Sequence, residues 1–178
     1  NNHPALTATL VAKGGEANSK LAQVTLPHSQ FLDQAHLNAP CTRVQFNLDK
    51  CPANSVIGVA RADTPTLAGP LEGPVYLRSS TRKVPDIVAD LRGQFRVVLV
   101  GKVDTVKERI RTTFDQVPDV PVSKFTLRFL GGKRGLLVNS ADLCAKPRRA
   151  LVKLVGQNGV KNQTNVALDS PCPRRSKR

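Results

Sequence analysis

Residues 91–103, Leu91-Arg-Gly-Gln-Phe-Arg-Val-Val-Leu-Val-Gly-Lys-Val103, alternate in a way that decides the fold class. Leu91, Gly93, Phe95, Val97, Leu99, Gly101 and Val103 fall on one side; Arg92, Gln94, Arg96, Val98, Val100 and Lys102 fall on the other. A period of two belongs to a strand with one face on a core. The spacing predicts one long strand, bent or bulged at Gly93 and Gly101. The alternation continues downstream. Residues 108–114 set Ile110, Thr112 and Phe114 inward against Arg109, Arg111 and Thr113. Past Pro118 and Pro121, residues 122–130 set Phe125, Leu127 and Phe129 against Lys124, Thr126 and Arg128.

Outward from this centre the same period recurs in short segments. Strands are predicted over 5–13, 20–26, 42–48, 55–63 and 75–80, and later over 135–140, 148–156 and 164–168. Gly, Pro and polar turn residues separate them, and Asn158-Gly159 is a tight-turn signal between the last two. A short helix is predicted over 28–37, where Phe31 or Leu32 shares a side with Ala35, Ser29 serves as its cap and Pro40 stops it. About ten short antiparallel strands and one short helix imply an all-β fold, a β-sandwich or open barrel. It is expected as a single domain over residues 1–170, followed by a basic tail at 171–178. Strands alternating with helices, as in nucleotide-binding folds, are missing.

With 40% hydrophobic and 22% charged residues among 178, the composition is that of a globular chain. No run approaches the roughly 18 apolar residues of a membrane-spanning helix. There is no Met, so the chain is expected to begin after signal-peptide cleavage or to be excerpted from a longer one. Cys41, Cys51, Cys144 and Cys172 form no CxxC pair, and His3, His28 and His36 are not near them at zinc-finger spacing. An even count in a processed chain favours two disulfides and an extracellular or cell-surface location. Of the three possible pairings, Cys41–Cys51 with Cys144–Cys172 is preferred, because the first pair is close in sequence and flanks a turn-like Asn-Leu-Asp-Lys. No metal and no cofactor is expected.

The net charge of +14 must meet something acidic. If the three central strands form a meander, Arg92, Arg96, Arg109, Arg111, Lys124 and Arg128 share one sheet face. Arginine suits bidentate contact with carboxylate or phosphate, so this face is the candidate for anion binding or subunit docking. The alternative is a solvated outer face whose like charges are offset by counter-charges. Arg148 and Arg149, in the run 146–149, and the tail residues Arg174, Arg175, Lys177 and Arg178 extend the basic character. Aromatic residues make up 4% of the chain, which leaves few base-stacking platforms, and no long helix is available to read a major groove. Sequence-specific nucleic-acid binding is therefore not expected.

Catalytic arrangements are poor. Ser79, Ser80 and Thr81 lack a nucleophile elbow. Residues 131–135, Gly-Gly-Lys-Arg-Gly, lack the spacing of a phosphate loop and read as a turn. Asp86 and Asp90 share one side of a strand without further acid/base partners. His28 and His36 read as polar residues flanking the expected helix. Asn162-Gln-Thr164 is a glycosylation sequon.

Several segments then stand out as a set: LPHSQFLDQAHL, CPANSVIGVARADTPTL, PLEGPVYLRSS, VPDIVADLRG, RTTFDQVPDVPVSKFTLRFLGGKRGLLVNSADLC and GQNG. They resemble an uncharacterised β domain that recurs in long secreted proteins of actinomycete-type bacteria, over roughly residues 21–159. The resemblance implies an extracellular β module, often in tandem, and carries no catalytic residues. This chain differs in being unusually basic and in ending soon after one copy. The expected function is that of a non-catalytic extracellular structural protein. It self-associates into a surface layer or filament, with a terminal strand such as 5–13 adding to a neighbour's sheet. The alternative is a module that binds an anionic polymer, whether envelope glycan, extracellular DNA or lipid headgroups.

Overall fold

The computed structural model describes residues 3–37 and 39–172. Strand periodicity becomes β1 (Leu6–Val11), β2 (Ser19–Thr25), β3 (Gln30–Leu32), β4 (Val56–Asp63), β5 (Leu71–Arg78), β6 (Asp86–Arg92), β7 (Arg96–Val106), β8 (Arg109–Phe114), β9 (Lys124–Phe129), β10 (Leu137–Asn139), β11 (Arg149–Gly156) and β12 (Lys161–Ala167). The fold is all-β, as expected. It is one ten-stranded antiparallel sheet curled into a half-barrel, in the order β1-β9-β4-β5-β6-β7-β8-β2-β11-β12. A two-stranded ribbon of β3 and β10 lies outside it.

The inner face of the curl holds the main core, built from Ile57, Ala60, Ala62, Leu71, Val75, Leu77, Ile87, Ala89, Leu91, Val103 and Leu127. Alternation on β7 is as the sequence predicts: Val97 and Leu99 pack on this core, while Val98 and Val100 face outward. Outward is not solvent here. Val98 and Val100 pack with Val88, Cys41 and Phe46 in a second, smaller cluster on the outer face.

Four local expectations are corrected. The segment 91–103 is not one strand. It reverses at residues 93–95, so that Arg92 pairs with Arg96 across the β6–β7 hairpin. Gly93 donates its N–H to the Phe95 carbonyl. A Cβ at Gly93 would stand 2.9 Å from the Pro70 carbonyl oxygen, so the turn needs glycine for close approach. Gly101 is no bulge either; its missing side chain leaves room for the Phe114 ring on β8.

Residues 28–37 do not form a helix. They make a turn, β3 and a 3-10 turn at Gln34–Leu37. The Asp33 side chain accepts the Ala35 N–H, and β3 satisfies its backbone by pairing with β10. That tertiary pairing overrides a weak helical period.

The strand predicted over 42–48 is instead α1 (Arg43–Asn47). Thr42 and Gln45 form a reciprocal capping box at its start. Val44 and Leu48, inward in a strand reading, are 69% and 60% exposed; only Phe46 is buried. The Cys41–Cys51 bridge explains this. Its Cα atoms are 5.1 Å apart across ten residues. A seven-residue strand would run about 23 Å, and the rest of the segment spans only ~10 Å in return.

The meander of three central strands does not form. β8 pairs with β7 and β2, while β9 crosses the molecule to pair with β4 and β1. The connection over 115–123 carries Pro118 and Pro121 and is too long for a hairpin, whose loops run about 2–5 residues.

Both expected disulfides are present, Cys41–Cys51 and Cys144–Cys172. The second closes a loop of 28 residues and ties the segment after β12 to the connection before β11. Loop-closure entropy assigns it about 3–4 kcal/mol. Cys172→Ser is expected to lower the unfolding free energy by that amount, read from denaturant titration without reductant. A further cost lies in the β7–β8 turn, where Lys107 and Glu108 both hold positive φ, 48° and 59°. A two-residue turn of this kind favours Asn-Gly. Lys107→Asn combined with Glu108→Gly is expected to raise stability by about 1 kcal/mol in the same titration.

Candidate functional site

The predicted basic face is dispersed by the topology, and its best-defined part is an Asp–Arg belt. Strand β6 turns Asp86, Val88 and Asp90 to the outer face, and all three are buried. A lone carboxylate there carries a large desolvation cost, so each needs cationic partners. Asp90, 1% exposed, accepts Arg96 Nε at 2.6 Å and Arg92 Nη2 at 2.7 Å. Asp49, from the loop after α1, closes the group by pairing with both arginines. Asp86 is held in the same way by Arg78 and Arg82.

Phe46 of α1 is the hub of this face. Arg78 and Arg96 lie over its ring at 5.2 and 5.4 Å, and Tyr76 meets it edge-on at 5.8 Å. Burial pushes the Tyr76 phenol above its usual pKa, and the Asp90 carboxylate adds to this. The recess beside Phe46, Asp49, Tyr76 and Arg92 has a volume of about 260 Å³. Its guanidinium forks already face protein carboxylates, so as it stands the belt is a structural clamp more than a vacant anion site.

The remaining predicted residues separate. Arg109 donates to the Leu26 and Thr25 carbonyls and holds the end of β2. Arg111 pairs with Asp104, its cross-strand neighbour on β7. That hydrogen bond holds the Asp104 carboxyl below the usual range, so the pair is intact at neutral pH and is lost as the pH falls through that lowered value. Lys124 and Arg128 are exposed on β9, five strands from Arg96 in the sheet order β9-β4-β5-β6-β7 counted inclusively. They and Arg149, at the start of β11, make no ion pair among the described residues. Arg148 is half-buried just before β11. The tail residues 173–178 lie outside the described residues.

The sheet edges form a second candidate. Among the described residues, β1 pairs only with β9 and β12 only with β11. Every residue of β12 is exposed, including the sequon residue Asn162. β1 carries no charge and no proline.

A cavity of about 360 Å³ lies between the β1–β2 connection, the segment after β8 and the inner face of the curl. Leu10, Leu91, Val97, Leu99, Phe114 and Phe125 contribute to its walls, and among the described residues Lys13 and Glu16 are the ionisable ones that line it. It can seat an apolar group. Among the described residues its lining holds no histidine, cysteine or pair of carboxylates.

Sequence reasoning missed one cluster. His28 is exposed and is not part of the group, but the fold brings His3 and Asp33 to His36. Asp33 is held below the usual carboxylate range by its hydrogen bond from His3. Thirty residues separate His3 from Asp33, and no local spacing signals their meeting.

No family model, curated protein or solved structure matches this chain. Among the described residues no helix is long and apolar enough to cross a membrane. Two disulfides and an all-β fold are compatible with an oxidising, extracellular setting.

The belt and the surface pair differ in burial, which separates their energetics. Asp90→Asn is expected to cost about 2 kcal/mol, because two guanidiniums lose a buried charged acceptor. Asp104→Asn is expected to cost less than about 1 kcal/mol, as exposed pairs do. Urea unfolding of the two variants checks the contrast.

Proposed function

We propose that this protein is a non-catalytic extracellular structural subunit that self-associates by strand addition at the edges of its sheet. The observation that carries this reading is the open ten-stranded sheet with β1 and β12 each paired on one side. Isolated sheet edges in monomeric proteins are usually blunted by proline, bulges, inward charges or a covering element. β1 has none of the first three along Leu6–Val11, and β12 has only Lys161 at its start. Joining β1 of one copy to β12 of the next is a head-to-tail contact between different surfaces. Such contacts propagate into rings or filaments and do not stop at a dimer. The paired Asp and Arg residues of the outer face also suit a structural role, since they rigidify the sheet and leave few free groups for chemistry. The same reading accords with the resemblance to a repeated secreted β module that we propose from the sequence segments alone.

A second reading, binding to an anionic polymer, draws on Lys124 and Arg128, exposed and without ion pairs among the described residues. In that reading the contact falls on β9, and Arg92 and Arg96 serve only to hold the fold.

The first reading is tested by electron microscopy and sedimentation at increasing concentration. Ordered polymers or larger oligomers are expected. Successive strand residues aim their N–H groups to opposite sides. One of Gln163→Pro and Thr164→Pro therefore removes an outward donor of β12 and leaves its ladder with β11 intact. That variant is expected to keep the native circular dichroism and lose assembly. A wild-type protein that stays monomeric at high concentration overturns the proposal.

A further inference from the structure

Two segments far apart in the chain, the strap at His3 and the stretch Asp33–His36, meet beside the β3–β10 ribbon. His3 lies in the strap before β1, Asp33 follows β3, and His36 sits in the 3-10 turn. The strap is tied down where the Gly132 N–H donates to the His3 carbonyl at 2.9 Å. His3 Nε2 lies 2.6 Å from Asp33 Oδ2, and the His3 and His36 rings stack with centroids 4.6 Å apart. The site is sheltered: the His3 side chain is 9% exposed and that of Asp33 20%.

Two of the three residues already have an outer partner, while His3 Nε2, which donates to Asp33, would give up that proton to its own Nδ1 or to solvent on binding a metal. His36 Nδ1 faces the Gly135 carbonyl at 2.5 Å. A carbonyl only accepts, so Nδ1 carries the proton and Nε2 keeps its lone pair in the neutral ring. Among the described residues no other hydrogen bond to the His36 ring is present. Asp33 Oδ1 accepts the Ala35 N–H at 2.9 Å, which leaves Oδ2 turned to the histidines. A histidine locked through one nitrogen by a backbone carbonyl, beside an oriented carboxylate, is how metal ligands are held from outside their first shell.

We infer that His3, Asp33 and His36 form a binding site for a divalent transition metal, with zinc as the best-suited ion and a fourth position open to water. One atom from each residue lies within 4.8 Å of the others. Zinc takes ligands at about 2.0–2.1 Å in tetrahedral array, which sets donors about 3.3 Å apart. The His3–Asp33 contact therefore opens by less than about 1 Å and the widest contact closes by about 1.5 Å. With the His3 carbonyl held by Gly132 and His36 Nδ1 by Gly135, this adjustment falls on the side-chain torsions of His3 and Asp33. Two imidazoles and one carboxylate suit zinc, whereas calcium and magnesium prefer oxygen alone. A bound ion would staple the strap before β1 to the ribbon and to the loop at Gly135, whatever the protein's state of assembly.

The test is calorimetric titration of the full, chelator-treated chain with zinc alone. One zinc per chain is expected, with a rise in the thermal midpoint. Asp33→Asn and His36→Ala are each expected to weaken binding at least about tenfold, and His28→Ala to leave it unchanged. X-ray absorption of the wild-type zinc complex, which needs no variant to fold, is expected to show two imidazoles and only nitrogen and oxygen donors. Absence of saturable binding overturns the inference. So does undiminished binding in a folded double variant of Asp33 and His36, or a sulfur ligand in the spectrum.

Discussion

Strand β6 is buried on both faces, and most of the molecule is arranged around that constraint. Its inner residues Ile87, Ala89 and Leu91 anchor the core of the curl. Its outer residues Asp86, Val88 and Asp90 sit under a second layer. A sheet that places two carboxylates under cover must supply cations at hydrogen-bond distance, or the desolvation cost unfolds the layer. Arg78, Arg82, Arg92 and Arg96 meet that need from β5, the β5–β6 connection, β6 itself and β7. The Cys41–Cys51 loop brings Phe46 and Asp49 over the same patch. The disulfide, the short helix and the arginine pattern therefore answer a single packing problem.

This assigns the positive charge to two kinds of work. Arginines near the centre of the sheet neutralise buried or cross-strand carboxylates, or hold backbone carbonyls, as Arg109 does for Thr25 and Leu26. Of the residues predicted for the basic face, Lys124, Arg128 and Arg149 have no such partner among the described residues and stand on β9 and β11, each next to an edge strand, while other unpaired cations such as Lys20, Arg43 and Lys107 lie elsewhere. The sheet is most rigid where its faces are covered and most available where its edges run free. The proposed role in assembly at the edges would sit beside a centre clamped by Asp–Arg pairs.

The His3–Asp33–His36 cluster extends the same logic to the ribbon. β3 and β10 form a ribbon of three paired residues, too short to be stable alone. Contacts from the strap and from Gly135 tie it to the body of the molecule. Side chains that hold a segment in this way can also gather ligand atoms, since both tasks need oriented polar groups converging from separate segments.

Much of the fold was legible in the sequence because it is written in short-range terms. Alternation located most of the main-sheet strands, Asn158-Gly159 marked the β11–β12 turn, and the parity and spacing of the cysteines led to the correct bridges. The nature of α1 was legible too, in principle: a ten-residue disulfide loop has no room for a strand of residues 42–48, and Thr42 with Gln45 spells a capping box. Period-two spacing of Val44, Phe46 and Leu48 hid it. What only the tertiary structure decided is which strands become neighbours. Placing β9 beside β4 and not β8 split the expected basic face, and pairing β3 with β10 replaced the expected helix over 28–37. Periodicity reports which way a side chain points, because that is set within a strand. It does not report what lies opposite, because pairing is chosen by the burial and hydrogen bonding of the whole sheet at once.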